Sequence, residues 1–239
     1  MARYRSGTAS IEMEQFEPSA EGKFPALLVL HGSGGAASYW MDQFGSSLKE
    51  AGVGIYVPHY FNKTATQRAT TAMILDGKHF IAWLKAIQDA VDYLAARPGV
   101  DAARIGVMGI SLGGYLAVAL GVEESRIGAV VELSGGAPLG WETRIGSDMP
   151  PTLVLHGAED HVVPVSEAEK LRELLAENQV PHEIAIFPHE THWFSQSGQM
   201  ELLMRSADFL GKHLFNDEAA AARREDLNNA DGNRMRKAS

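Results

Sequence analysis

The sequence predicts an α/β protein built on a mostly parallel, twisted sheet with helices on both faces and no large cap domain. Short apolar runs recur at 26–30, 53–57, 105–108, 129–133, 152–155 and 183–187, and each ends in glycine, proline or a polar cluster. Strands buried on both faces read as near-continuous apolar runs of this kind. Longer segments with helical spacing lie between them, and strands that alternate with helices imply parallel pairing. No insertion is large enough for a separate helical cap.

Each element has its own signal. Residues 80–96 place Ile81, Leu84, Ile87, Val91 and Leu94 at steps of three and four, an amphipathic helix that Pro98 and Gly99 stop. Ser166 followed by Glu169 is a capping-box signature for a helix through Leu175. Residues 199–214 read as the closing helix. A first strand near 10–16 alternates less cleanly and suits an antiparallel edge. The polar segment 59–79 is long for a connection, which points to a functional loop. Residues 1–215 form one expected domain. Residues 216–239 are a polar tail, partly helical at 219–224 and otherwise loosely ordered.

Composition narrows the classes of function. Twenty-one basic against thirty acidic residues give a formal charge of −9, which argues against nucleic acid or an anionic membrane as partner. The chain has no cysteine, so disulfides, thiolate metal sites and a cysteine nucleophile are excluded. No run approaches the roughly 18 apolar residues of a membrane span, and residues 1–19 lack a signal-peptide core. The expected location is the cytoplasm.

The strongest motif is Gly109-Ile110-Ser111-Leu112-Gly113-Gly114, which follows one expected strand and precedes an apolar helical stretch. A nucleophile at a sharp strand-to-helix turn needs room on either side, which the glycines supply. An acid and a base should follow in that order. Asp160, in Leu155-His156-Gly157-Ala158-Glu159-Asp160-His161, lies just past a strand, where ligands bind in open α/β sheets. It would accept the second ring N–H of the histidine; Glu159 and Glu132 are its rivals. His192, in Phe187-Pro188-His189-Glu190-Thr191-His192-Trp193-Phe194, is the candidate base, with His189 as rival. Ligands at metal spacing do not accompany these histidines, so no metal is expected. His31-Gly32-Ser33-Gly34-Gly35 follows the strand at 26–30. Amides of Ser33, with Gly34 in reserve, and of Leu112 would stabilise an oxyanion. His31 itself reads as a turn-packing residue.

These four elements, in this order over about residues 20–215, resemble the α/β-hydrolase superfamily and, within it, the dienelactone-hydrolase-like group. His192-Trp193-Phe194 is similar to that group's histidine followed by a small or aromatic residue and then phenylalanine. Two departures stand out. Dienelactone hydrolases proper use a cysteine where this chain has Ser111, and a glutamate where it has Gly32. The resemblance therefore implies a serine enzyme acting on small-molecule carboxylic esters without cofactor, and the bulk of the candidate wall residues favours short acyl groups. Tyr39, Trp40 and Trp193, with Trp141 and the segment 59–79, are candidates for the pocket wall. Peptidase or amidase, acyl transferase and thioesterase chemistry remain open to the same residues. A non-catalytic binding protein on this scaffold is the remaining alternative.

Overall fold

A computed structural model describes residues 1–19, 22–35, 52–216, 220, 221 and 223–225. Eight strands form one sheet: β1 (Ala2–Ser6), β2 (Ala9–Phe16), β3 (Phe24–Leu30), β4 (Gly54–Pro58), β5 (Val100–Ile110), β6 (Ile127–Leu133), β7 (Thr152–Gly157) and β8 (His182–Phe187). Their spatial order is β1-β2-β4-β3-β5-β6-β7-β8. Pairing from β4 to β8 is parallel, and β2 joins β4 antiparallel. The continuous apolar runs of β3, β6 and β7 are buried at every position, as their central places require. The described residues form no separate cap.

Helices cover both faces. On one lie α1 (Thr71–Leu75), α2 (Lys78–Ala95) and α3 (Leu112–Glu123). Trp83, Leu84, Ile87 and Val91 of α2 join Leu116 and Leu120 of α3 against Leu28, Leu30 and Val107. Leu171 and Leu175 of α4 (Ser166–Glu177) pack with Val118 and Val154. On the other face, Leu202, Phe209 and Leu210 of α5 (Gln196–Leu210) meet Leu27, Ile55 and Val131.

Three expectations change. The strand at 10–16 is antiparallel but not the edge, because β1 pairs outside it through the two-residue turn Gly7-Thr8. Gly7 has φ +55°, the positive value that such hairpins favour. Ser166 does not cap α4. Chain entry is already helical at Val165, and the Glu167 and Glu169 amides donate to the carbonyls of Pro164 and Val165. The closing helix begins at Gln196, earlier than its spacing suggests, because the Ser195 hydroxyl accepts from the Gly198 amide. It ends at Leu210 and widens into a π-turn, Gly211–Phe215.

In the tail, Ala220 is buried and Arg223 donates to the carbonyls of Ala103 and His213 at 2.9 and 2.8 Å. Arg224 pairs with Asp101. These described residues are docked on the body.

Close backbone approach is the tightest requirement of the fold. A Cβ on Gly113 would collide with the carbonyl oxygens of Leu30 and His31, whereas one on Gly211 would meet nothing. Gly113→Ala should cost more than about 3 kcal/mol or prevent folding, and Gly211→Ala should be tolerated. Denaturant titration of both variants measures the difference. Equal stabilities would mean that α3 does not press on the end of β3.

Candidate active site

The sharpest local feature is the turn from β5 into α3. Ser111 has φ +56° and ψ −119°, a backbone that costs a side-chain-bearing residue of order 1–3 kcal/mol. Its amide donates to the Leu133 carbonyl at 2.8 Å, and its own carbonyl accepts from Gly114 and Tyr115 at 2.8 and 3.2 Å. Gly109 makes this packing possible, because a Cβ there would overlap the Gly113 backbone; at Gly32 a Cβ would lie in ordinary contact, 3.5 Å from the Ser111 Cβ. The turn therefore brings the loop at 31–35 directly against Ser111.

That loop is braced from the segment 59–79. The His31 ring stacks on Tyr60 at 4.0 Å, and the Tyr60 hydroxyl donates to the His31 carbonyl at 2.5 Å. The Ala69 amide donates to the Ser33 carbonyl at 2.9 Å. Burial lowers the His31 pKa to about 4, its bond to the Gly32 carbonyl offsetting only part of this, so the ring is neutral and structural. Leu112 is buried at the first position of α3, where an amide has no partner within the helix. Gly32 of this loop and Leu112 thus both adjoin Ser111.

Asp160 and His192 meet past the ends of β7 and β8. His192 Nδ1–H donates to Asp160 Oδ2 at 2.7 Å, and both side chains are almost wholly buried. The other carboxylate oxygen accepts from the amides of Val162 and Val163, each at 2.8 Å. Burial by itself would raise the Asp160 pKa. The Val163 amide, the His192 ring and the Val162 amide outweigh it and hold the carboxyl below its ordinary value. His156, to which sequence reasoning gave no role, is a further prop. Its Nε2–H donates to the Val163 carbonyl at 2.9 Å and lies 3.5 Å from Asp160 Oδ2. Its position four residues before the acid was the only signal available. Burial lowers the His156 pKa, and the ring is neutral.

The rival residues stand elsewhere. Glu159 and His189 are exposed and only 3.8 Å apart, facing solvent. Glu132 is fully buried beneath the turn, with one oxygen accepting from the Gly135 amide and the other without a partner. Burial raises its pKa to about 8, the Gly135 bond notwithstanding, so it is mainly a neutral acid at pH 7.

A cavity of about 470 Å³ lies beside this apparatus. Tyr115, one helical turn after Ser111, forms part of its wall, as do Val162 and Val163 next to Asp160. Phe80, Leu139 and Trp141 supply much of the apolar surface. Trp193 does not line it; the residue is 79% exposed, and its ring meets His192 edge-on at 5.1 Å. Tyr39 and Trp40 lie outside the described residues. Among the described residues no cluster of three potential metal ligands occurs, and no helix is long and apolar enough to cross a membrane.

Comparison with known proteins fits this geometry. Residues 11–230 match the dienelactone hydrolase family. A Synechocystis sp. protein that carries the name carboxymethylenebutenolidase is 26% identical over 196 residues, covering 74% of this chain and 78% of its own. Among solved structures, a dienelactone hydrolase-like promiscuous phosphotriesterase from metagenomic libraries superposes with a TM-score of 0.76 at 16% identity, covering 88% of this chain and 96% of its own. The acylaminoacyl peptidase of Pyrococcus horikoshii gives 0.71 at 17% identity, covering 88% of this chain and 40% of its own. These likenesses show the α/β-hydrolase fold.

Glu132 has a stability consequence that can be measured. Its folded-state pKa of about 8 exceeds the ordinary 4.5, so between these values the native protein keeps a proton that the unfolded chain has released. Stability from this group therefore falls as pH rises through that window and levels off above it. Glu132→Gln removes the titration, so its melting temperature relative to wild type should climb from pH 5 to pH 8. A difference independent of pH would mean that Glu132 is ionised in the folded protein.

Proposed function

The chain belongs to the dienelactone hydrolase family and is a hydrolase, and we propose that it cleaves carboxylic esters of small or short-chain acyl groups through an acyl-enzyme on Ser111. The observation that carries this reading is the buried 2.7 Å bond between His192 and Asp160. It leaves the far ring nitrogen of His192 available at the carboxyl edge of the sheet that also ends in Ser111. In the proposed cycle, His192 Nε2 takes the Ser111 proton as Oγ attacks the ester carbonyl. Amides of Leu112 and Ser33 hold the oxyanion, and Asp160 stabilises the imidazolium. The intermediate collapses, and the alcohol leaves with the proton from His192. Water, deprotonated by the same ring, then attacks the acyl carbon and releases the acid and Ser111.

The reaction named for the Synechocystis relative, on a lactone with a carboxymethylene group, is not the one proposed here. That substrate carries a carboxylate. The cavity's one described cation, Lys170, already pairs with Glu142 at 3.2 Å.

Ser111→Ala should abolish covalent labelling by a fluorophosphonate in a protein that still folds, and Asp160→Asn should lower kcat/KM by about 10⁴. Glu159→Gln should be nearly silent. Undiminished labelling of Ser111→Ala, or a larger loss in Glu159→Gln than in Asp160→Asn, would overturn the assignment.

Bulky Tyr39 and Trp40, which follow the loop at 31–35 in the sequence, support a short acyl group. A fitting methylene gains only about 1 kcal/mol, whereas one that clashes loses the attack geometry. Across p-nitrophenyl acetate, butyrate, octanoate and palmitate, kcat/KM should peak at acetate or butyrate. A peak at octanoate or beyond would contradict it.

A further inference from the structure

The cavity has a chemical character beyond its size. Its walls are largely apolar, and about 470 Å³ is ample for a substituted aromatic ring. Three aromatic side chains, Phe80, Tyr115 and Trp141, contribute to them. Phe80 and Trp141 are in contact, with centroids 5.3 Å apart. Such ring faces attract an organic cation.

The charges point the same way. Two carboxylates, Glu142 and Glu167, and one ammonium, Lys170, line the cavity. Glu142 is already engaged: one oxygen accepts from Lys170 at 3.2 Å and the other from the Gly140 amide at 2.6 Å. Lys170 is spent on that pair. Glu167 forms no ion pair and no side-chain hydrogen bond among the described residues. Its side chain packs on Gly136, where an added Cβ would lie 3.3 Å from both Glu167 Oε2 and the Tyr115 ring. The Tyr115 hydroxyl likewise has no hydrogen-bond partner among the described residues. Glu167 stands in the first turn of α4, where the helix dipole favours its charged form. The cavity thus presents one carboxylate that has no ion pair among the described residues, a phenol and aromatic walls.

We infer that this cavity receives the alcohol portion of the ester, and that the preferred alcohol is an apolar, ring-sized body carrying a protonated amine that Glu167 binds. The inference rests on the esterase reading above and adds the substrate class. An anionic substrate of the same shape is disfavoured, because its charge would face Glu167 with Lys170 already paired.

The test uses three acetate esters with one acyl group and one scissile bond: 4-(aminomethyl)benzyl acetate, 4-ethylbenzyl acetate and 4-(acetoxymethyl)benzoate. The remote substituent is cationic, neutral or anionic and hardly alters the reacting ester. Wild type should show kcat/KM for the cationic ester about fivefold or more above the neutral one, with the anionic ester lowest. Glu167→Gln should bring the cationic and neutral esters within about twofold of each other. Lys170→Met alters a half-exposed side chain and releases Glu142, so it should widen the cationic preference. No cationic preference in wild type, or one that survives Glu167→Gln or narrows in Lys170→Met, would overturn the inference. Ser111→Ala separates this from failure of the parent reading. If the neutral ester is cleaved in a Ser111-dependent manner without charge preference, only the cavity assignment fails. If cleavage persists in Ser111→Ala, the esterase reading fails with it.

Discussion

The close approach of backbone to backbone around Ser111 is the constraint on which the rest depends. The β5–α3 turn holds Ser111 at positive φ, and such a conformation persists only when its surroundings over-determine it. Here they do. The Leu133 carbonyl fixes the Ser111 amide, and the amides of Gly114 and Tyr115 fix its carbonyl. Gly113 lets α3 press on the end of β3, and the next loop reaches Ser111 at Gly32, where an added Cβ would make only ordinary contact. A side chain at Gly113 would separate the elements that surround the serine. The same contacts bring Leu112 and the loop at 31–35 next to it.

Two buried acids near this turn show how environment, rather than residue type, sets charge. Asp160 accepts two amides and a ring N–H, and these outweigh the cost of burial. Glu132 accepts one amide and leaves an oxygen unpaired, so burial wins and the group stays largely protonated. Only Asp160 can stabilise a positive charge developing on a neighbouring imidazole. Its grip is renewed from below by His156, which is bonded to the carbonyl of Val163, a residue whose amide holds the carboxylate.

Much of this was legible in the sequence where the physics is local. The glycines around Ser111, the strand before it and the helix after it belong to one short segment, and a helix such as α2 declares most of its buried face through spacing, although Ile81 is 59% exposed and Phe80 and Trp83 are buried instead. The order of Ser111, Asp160 and His192 was equally readable. Local signals failed where a neighbour supplied the decisive contact. Gly7-Thr8 lies between the alternating strands of a hairpin, yet β1 is short and its anchor, the bond from the Tyr4 hydroxyl to the Ala86 carbonyl, spans 82 positions. Ser166 and Glu169 matched a capping box, but Pro164 and Val165 had already begun the turn. Glu132 resembled a possible acid until its burial was visible. Trp193 sits beside His192 in sequence and in space, but its ring points to solvent. The cavity could not be read from any one segment, because Phe80, Tyr115, Trp141 and Glu167 come from α2, α3, a connection and α4.

The chemistry and the cavity are consequently built by different means. Backbone bonds and glycines define the surroundings of Ser111, whereas side chains from dispersed elements define the cavity. Exchanging a wall residue such as Leu139 alters what fits without moving Ser111. The two systems touch at Val162 and Val163. Their amides hold Asp160, while the same residues wall the cavity. A ligand that displaces either valine must also strain the bonds that orient the acid, and through it His192. A ligand that seats against them leaves those bonds in place. Under the proposed function, shape at this wall would be read twice, once as contact and once as the alignment of Asp160 behind it, so discrimination there would exceed what the contact alone supplies.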